Sequence, residues 1–541
     1  MDILAESNFW ANVDVTKHLF VFSPMIALTV TMLAIVACPL VVGRSARTIG
    51  TVAMFGVLVA LILAIRVASS VSGGGLSGLS TQPAAALLLV DNLSVYFQIV
   101  LLFFLVGVMF LWWIGVSSKE QNAPEFFILL LGSALGMALM VSTANLLMIA
   151  IAIEVASLPS YAMVGFDKSD RLGAEASLKY MIFGGVCAAI MLYGISLLYG
   201  LVGSLAVADV AAYTVSQFIG GENVLLLVVA LLCFFVGIAF KISAVPLHFW
   251  CPDAFQGARI EVTTWLSVAS KAAGLVLLVR LVIIFSASVT SPFAISVVEP
   301  LAWALGIVAA LTCTFGNFAA YGQQSVKRLL AYSSIAHAGY MMMAAAVFIH
   351  PSVNGSEAGL SALLAYIVIY VFMNLGAFGV TALVVWDTGS DDISAFSGLG
   401  RRAPWLAVPM VICLMSLVGL PPFAGFIGKW WILLALGSLN STLGWFLVIV
   451  AGVNTLISLY YYLRLVVQMM LRDDGKPVVR SSMGGLALVN GCALMLILLF
   501  GLAHPLKTTT DRFSREVFQP ETTISLDDSS LASARSDSVD R

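Results

Sequence analysis

Charged residues are scarce in this sequence. Only 10% of the 541 residues are Asp, Glu, Lys or Arg, whereas 61% are apolar, and the mean hydropathy is +1.03. A soluble globular domain usually carries about 25% charged residues. The composition therefore excludes a soluble globule and indicates a polytopic protein of the lipid bilayer.

Patterns that hold a redox group are also missing. The seven cysteines include no CxxC pair, and the five histidines include no pair at ligand spacing. This excludes the usual signatures of a disulfide framework, a zinc site, an iron–sulfur cluster and a haem. The letters GxGxxG occur at residues 73–78, but they follow an apolar span rather than a strand, and GxxxxGK[ST] is absent. We expect no cofactor in this chain.

Apolar windows long enough to cross about 30 Å of hydrocarbon predict an all-α fold with about fourteen transmembrane helices. These spans cover residues 20–42, 48–69, 92–115, 124–142, 146–166, 175–200, 223–250, 260–285, 298–321, 329–348, 359–386, 404–438, 443–469 and 484–503. The loops after odd-numbered spans hold thirteen Lys and Arg residues, and the loops after even-numbered spans up to span 12 hold none. Short cytoplasmic loops are rich in these residues. The pattern therefore predicts a protein of the bacterial inner membrane with both termini on the periplasmic side.

Five titratable side chains lie near the middle of predicted spans, where charge is costly. They are Glu154 in span 5, Lys241 in span 7, Lys271 in span 8, His337 in span 10 and Lys429 in span 12. Each of them could have a purely structural role, in an ion pair or an interhelical hydrogen bond. Ionisable residues inside the membrane are nevertheless functional candidates by default. Their similar depth predicts a proton path in the membrane plane, in which Glu154 is a plausible counter-ion for Lys241.

Prolines predict that helices 7 and 12 are broken. Pro246 follows Lys241 in span 7, and the run Gly419–Pro422 precedes Lys429 in span 12. Proline removes a backbone donor and clashes with the preceding turn, and broken helices at membrane depth mark ion sites in transporters. Because the two breaks lie five spans apart, they predict two inverted five-helix repeats, spans 4–8 and 9–13.

This pattern divides the chain into five predicted parts. Residues 1–120 form scaffold helices 1–3, residues 121–285 the first repeat, and residues 286–470 the inverted second repeat. Residues 471–504 hold the final helix. The polar, Ser- and Asp-rich tail 505–541 is expected to be disordered or to lie on a partner.

Several stretches resemble the antiporter-like membrane subunits of NADH-quinone oxidoreductase (respiratory complex I), and within them subunit N. The resemblance runs in order across roughly residues 90–470. The similar segments are Glu154–Pro159, Arg171–Tyr180, Lys241–Trp250, Pro252–Asp253, Leu266–Lys271, Val326–His337 and Gly425–Lys429. One departure lies before span 8, where the family usually reads Gly-Ala-Pro-Thr-Pro-Val and this chain has Arg259 and Glu261 in place of the two prolines.

The resemblance implies a role for each candidate residue. Glu154 and Lys241 would form the acid/lysine pair of the input half-channel, Lys271 the central relay, His337 part of the connecting polar axis, and Lys429 the output lysine. It also implies that flavin, iron–sulfur clusters and quinone belong to partner subunits. The expected partners are other membrane-arm subunits, including subunit M and small neighbouring subunits, with no nucleic acid.

The leading hypothesis is thus a proton-translocating subunit of an NADH-quinone oxidoreductase that contains no redox centre of its own. Two alternatives stay open. One is a subunit of a multi-subunit Mrp-type cation/proton antiporter, which resembles it in fold and in these lysines. The other is a passive scaffold that only seals and spaces the membrane arm.

Overall fold

A computed structural model describes residues 15–41, 43–72, 87–115, 122–221, 223–287, 295–349, 356–472 and 482–518. Within these ranges the regular structure is helical, and the only extended pairing is two isolated backbone bridges. The predicted fold class, an all-α polytopic membrane protein, is confirmed.

The first half of the described chain contains helices of very different lengths. They are α1 (Val15–Val21), α2 (Ser23–Val41), α3 (Ala46–Ser72), α4 (Asn92–Gly115), α5 (Ala123–Val141), α6 (Leu146–Val164), α7 (Arg171–Val202), α8 (Val207–Gly220), α9 (Val224–Ile242), α10 (Trp250–Gly257), α11 (Ile260–Trp265) and α12 (Lys271–Ala287). A wide π-type turn, Leu266–Ser270, joins α11 to α12 within one continuous span.

The second half of the described chain also contains helices of very different lengths. Its helices are α13 (Ile295–Ala320), α14 (Val326–Ile349), α15 (Ser356–Thr388), α16 (Leu399–Arg402), α17 (Pro404–Val418), α18 (Ala424–Ser438), α19 (Thr442–Leu471), α20 (Met483–Gly501) and α21 (Ala503–Phe518), with a short 3-10 turn at Ile393–Phe396.

Every predicted span overlaps one or more helices. Twelve of the described helices are long and apolar enough to cross a membrane, or thirteen if Ile393–Arg402 and Pro404–Val418, which are bent by 119°, count as one span. The two predicted spans outside these twelve correspond to α14, of 24 residues, and to the pair α17 and α18, of 15 residues each.

Both predicted helix breaks are present. Helix α9 ends at Ile242 because Ser243 adopts a left-handed conformation (φ 65°), three residues before Pro246. Helix α17 ends at Val418, and Gly419 is again left-handed (φ 87°). A left-handed residue reverses the chain and satisfies the last carbonyls of the helix. In both of these spans, therefore, one helix ends and another begins within the protein.

The same close contacts occur twice along the chain. A Cβ atom added to Gly136 would lie 2.3 Å from the backbone nitrogen of Ala156, and one added to Gly316 would lie 2.7 Å from that of Ala336. Both glycines and both alanines are 180 residues apart. The two backbone bridges also correspond, joining Asn145 to Ala206 and Ser325 to Asp392. Such recurrence is expected of two copies of one helical unit.

The beginning of the polar tail differs from the expectation of disorder or of a partner-bound segment. Helix α21 packs on α15 and α4 of its own chain. The Ser514 hydroxyl donates to the Glu357 carbonyl at 2.7 Å, and the Phe513 ring lies 5.0 Å from that of Tyr96. The helix is amphipathic, so one face can bury Thr510 and Ser514. Residues 519–541 of the tail lie outside the described residues.

Candidate functional site

Lys241 lies in the last turn of α9 and is fully buried. Its Nζ donates to the Ser157 hydroxyl at 3.0 Å. That hydroxyl donates in turn to the Ile153 carbonyl at 2.6 Å, so it is oriented to accept from the lysine. Glu154 is half-buried on α6, the helix that also carries Ser157. It interacts with Lys241 through space, but no ion pair within 4 Å joins the two side chains. Ser157 therefore contacts Lys241 where Glu154 was expected.

The break after α9 ties this lysine to the next span. The Trp250 indole donates to the Phe240 carbonyl at 3.0 Å, and the Ser243 backbone N–H donates to the same carbonyl at 3.0 Å, so this carbonyl at the helix end is fully bonded. The Ser270 hydroxyl donates to the Lys241 carbonyl at 3.3 Å. The polar backbone groups exposed by the break are thus bonded inside the protein, as broken helices at membrane depth require.

Lys271 follows the wide turn in the middle of its span and is also fully buried. Its Nζ donates to the Cys251 thiol at 3.4 Å. It lies 4.7 Å from the centre of the Phe255 ring and 5.8 Å from that of Trp250. Aromatic faces attract a cation without accepting its proton. The thiol is therefore the group best placed to exchange a proton with Lys271.

His337 lies within α14 among tyrosines from other helices. Its Nδ1 is 2.6 Å from the Tyr366 hydroxyl, and its Nε2 is 3.4 Å from the Tyr462 hydroxyl. The Tyr370 ring lies 5.3 Å from the imidazole. We call His337, Tyr366, Tyr370 and Tyr462 the tyrosine–histidine cluster. With both ring nitrogens facing hydroxyls, the imidazole can receive a proton on one side and release one on the other.

Lys429 lies in the second turn of α18 and is 6% exposed. Its Nζ donates to the Val418 carbonyl at 2.9 Å, and the Tyr340 ring lies 4.4 Å away. The Val418 carbonyl is free because α17 ends at that residue. The broken helix therefore supplies the acceptor that holds the lysine.

None of the five predicted side chains hydrogen-bonds directly to another among the described residues. Their side-chain partners include Ser157, Cys251, Tyr340, Tyr366 and Tyr462. None of these five groups is among the candidate residues that the sequence predicts. Tyrosines at Tyr366, Tyr370 and Tyr462 inside apolar spans were the available signal, since a buried phenol needs a hydrogen-bond partner.

A cluster of charged side chains lies on the predicted cytoplasmic side of the site. Asp253, on α10 outside the spanning helices, accepts from Lys179 at 3.1 Å and from Arg328 at 2.5 Å. Burial by itself raises the pKa of this carboxyl, but hydrogen bonds from Arg328 and Lys179 outweigh it and hold the pKa below its ordinary value. One carboxylate thereby joins α7, α10 and α14.

The departure from the family pattern adds a further ion pair nearby. Arg259 pairs with Asp167 through two guanidinium nitrogens and lies 5.0 Å above the Phe166 ring. Glu261 is 7% exposed at the start of the span that carries Lys271. The ion pair ties the segment before span 8 to the loop that follows α6. Among the described residues, no group of three or more His, Cys, Asp or Glu side chains is arranged to hold a metal ion.

Comparison with known sequences places the chain among membrane subunits of respiratory and antiporter complexes. The family described as NADH:quinone oxidoreductase/Mrp antiporter, TM, matches residues 143–458. NADH-quinone oxidoreductase subunit N from Anaeromyxobacter sp. (strain Fw109-5) is 37% identical over 507 residues, which cover 89% of this chain and 93% of the relative.

Solved structures agree on the fold. A chain of respiratory complex I from Thermus thermophilus with bound aureothin superposes with a TM-score of 0.71 at 30% identity, covering 90% of this chain and 98% of that one. A chain of the Mrp complex from Dietzia sp. DQ12-45-1b superposes with a TM-score of 0.77 at 19% identity, covering 93% and 98%. At that identity the second likeness shows a shared fold alone.

Proposed function

We propose, because the chain belongs to the NADH:quinone oxidoreductase/Mrp antiporter family of membrane subunits, that it translocates protons within the membrane arm of an NADH-quinone oxidoreductase. Glu154, Lys241, Lys271, His337 and Lys429 are the titratable groups of its relay. Redox chemistry in partner subunits, which would hold the flavin, the iron–sulfur clusters and the quinone, supplies the driving force.

The observation that carries the proposal is three buried ammonium groups without a paired carboxylate. Lys241, Lys271 and Lys429 are at most 6% exposed, and no carboxylate of a described residue lies within 4 Å of any of them. A lysine kept only for structure would need such a partner, because an unpaired buried charge is strongly unfavourable. An amine that gains and loses a proton does not need one.

The arrangement suggests how charge drives the transfer. The Glu154 carboxylate attracts Lys241 through space, and Lys241 donates its hydrogen bond to Ser157 instead. A movement that separates the two charges weakens the hold of Lys241 on its proton, and one that brings them together strengthens it. The proton then passes by way of Lys271 and the tyrosine–histidine cluster to Lys429 in α18.

Assembly with other membrane-arm subunits and residence in a bacterial inner membrane follow from the same proposal. The half-buried Glu154 lies where a neighbouring subunit could reach it. Both chain termini are proposed to face the periplasm, which the distribution of Lys and Arg among the loops supports.

The test uses Lys241→Ala and Lys271→Ala in the assembled complex, in inverted membrane vesicles energised with NADH. We expect both variants to lose most of the ΔpH formed, whereas Lys168→Ala, at an exposed loop position, retains it. Full pumping by both buried-lysine variants would instead support a passive scaffold. Proton flux driven by a sodium gradient, without copurifying flavin and iron–sulfur subunits, would support the Mrp-type alternative.

A further inference from the structure

A cavity of about 390 Å³ lies where three helices meet on the predicted periplasmic side of the chain. Its walls come from the start of α15, the end of α18 and one face of α21. The volume is within the range of sites that bind small molecules. The charged side chains in its walls are Glu357, Lys507, Asp511 and Arg515. None of the five relay candidates lines the cavity, so it is a separate feature of the molecule.

The two cations of α21 do not pair with the acid that lies between them. Lys507, Asp511 and Arg515 follow one another at four-residue intervals and share one face of the helix, a spacing that favours ion pairs. Asp511 instead accepts a hydrogen bond from the Ser361 hydroxyl on α15. Among the described residues, no carboxylate lies within 4 Å of either cation, and the Trp431 ring lies 6.0 Å from the Lys507 ammonium. Both cations are therefore available to an anion from outside the described chain.

Carboxylates in the same cavity restrict what that anion can be. The Ser361 hydroxyl bonds one oxygen of Asp511, and the other oxygen makes no hydrogen bond to a described residue. Asp511 and Glu357 would repel a simple anion, whereas a ligand that carries both signs complements two cations and two carboxylates. A phosphate group suits a lysine and an arginine. A primary ammonium on the same ligand can donate to Asp511.

An apolar wall beside the charges indicates that the ligand is a lipid. Trp431, Leu434 and Ala435 lie on one face of α18 and form this wall. Leu434 is 48% exposed, so the wall continues from the cavity onto the outer surface of the helix. The end of a membrane-spanning helix that carries tryptophan is where lipid headgroups meet protein. A headgroup in the cavity places its acyl chains against this apolar surface, which a soluble zwitterion would not need.

We propose that the cavity binds the headgroup of a zwitterionic phospholipid of the phosphatidylethanolamine class. The phosphate lies between Lys507 and Arg515, and the headgroup ammonium donates to Asp511. The acyl chains follow the side of α18 that Leu434 exposes. This binding site goes beyond the proposed function, and its test does not use pumping as the readout.

The experiment captures the bound lipid in the assembled complex. A photoreactive benzophenone side chain is placed at Leu434, and the complex is reconstituted into bilayers that contain equal amounts of phosphatidylethanolamine and phosphatidylglycerol, each radiolabelled in turn. We expect capture of phosphatidylethanolamine to exceed that of phosphatidylglycerol severalfold. Lys507→Gln and Arg515→Gln should each lower total lipid capture about fivefold, the effect of one cation at a membrane surface.

Two further variants separate the contributions of the charges. Asp511→Asn keeps an oxygen for the Ser361 hydroxyl but removes the negative charge, so it should lower the preference for phosphatidylethanolamine by up to about fivefold. Arg512→Gln is the matched control, because Arg512 lies on the same helix but pairs with Glu516 at 2.9 Å and does not line the cavity. Its capture should equal that of the parent.

Three results would overturn the proposal. Capture of the two lipids in the ratio of the bilayer, unchanged in all variants, would show ordinary surrounding lipid. Crosslinking of Leu434 to a neighbouring subunit instead of lipid would show that protein fills the cavity. Displacement of the labelled lipid by excess inorganic phosphate would identify a site for soluble phosphate. Because pumping is not measured, each of these results leaves the proposed proton relay to its own test.

Discussion

Replacing Gly425 by alanine tests whether the broken helix positions Lys429. Gly425 lies in the first turn of α18, where its backbone N–H donates to the Ser416 hydroxyl at 3.0 Å. An added Cβ would lie 1.8 Å from the Ser416 carbonyl oxygen and 2.9 Å from its hydroxyl oxygen. The carbonyl belongs to the backbone of α17 and cannot rotate away. The two half-helices must therefore move apart.

The size of the effect follows from this overlap. Forcing an extra methyl group into a packed interior costs roughly 1–3 kcal/mol. Lys429 follows Gly425 by about one turn, and its bond to the Val418 carbonyl spans the same two half-helices. If separation of the helices breaks that bond, the fraction of molecules with Lys429 in place falls by roughly 5- to 150-fold, since about 1.4 kcal/mol corresponds to tenfold.

The assay is ΔpH formation by inverted vesicles at equal amounts of assembled complex. We expect a loss of pumping of at least several fold for Gly425→Ala. Gly437→Ala is the matched control, because it lies on the same helix and a Cβ there would meet nothing within 4 Å. If both variants assemble and pump equally, Lys429 does not depend on the crossing of α17 and α18, and the reasoning is refuted.

Three further predictions concern stability, measured as thermal unfolding of the purified complex. Arg280→Leu should cost roughly 1–3 kcal/mol, because it removes a buried guanidinium that pairs with Asp91 at 2.6 Å, and an unchanged melting temperature would contradict this. Because the pKa of Asp253 is lowered in the folded protein, its ion pairs stabilise the fold fully above about pH 4, and this stabilisation is lost as the pH falls through the lowered pKa. The Asp253→Asn variant should therefore be less stable than the parent at neutral pH and less sensitive to acid. Equal acid sensitivity of the two proteins would refute the role of the ion pairs. Truncation after Leu502 should destabilise the subunit by removing α21, whereas truncation after Phe518 should not; equal effects would show that the packed helix contributes nothing.

The positions of the spans, the helix breaks and the intramembrane lysines could all be predicted from the sequence. Each depends on physics that acts locally along the chain. A run of about 20 apolar residues spans the bilayer wherever it packs, and proline disrupts the helix that contains it, as at Pro246 and before Lys429. A direct contact between Glu154 and Lys241 could not be predicted in this way, because it depends on how two helices are rotated about their axes.

What the sequence by itself determined is the class, the family, the spans and the costly charges, since composition, hydropathy and motif spacing are read along one dimension. Only the tertiary structure decided which groups touch those charges. Ser157 lies 84 residues before Lys241, and Tyr462 lies 125 residues after His337, so nothing in local spacing brings either pair together. Their contact depends on which faces of the helices are packed inward. The packing of many apolar side chains sets those faces, and it thereby selects a serine, a thiol and phenols as the side chains that contact the titratable groups.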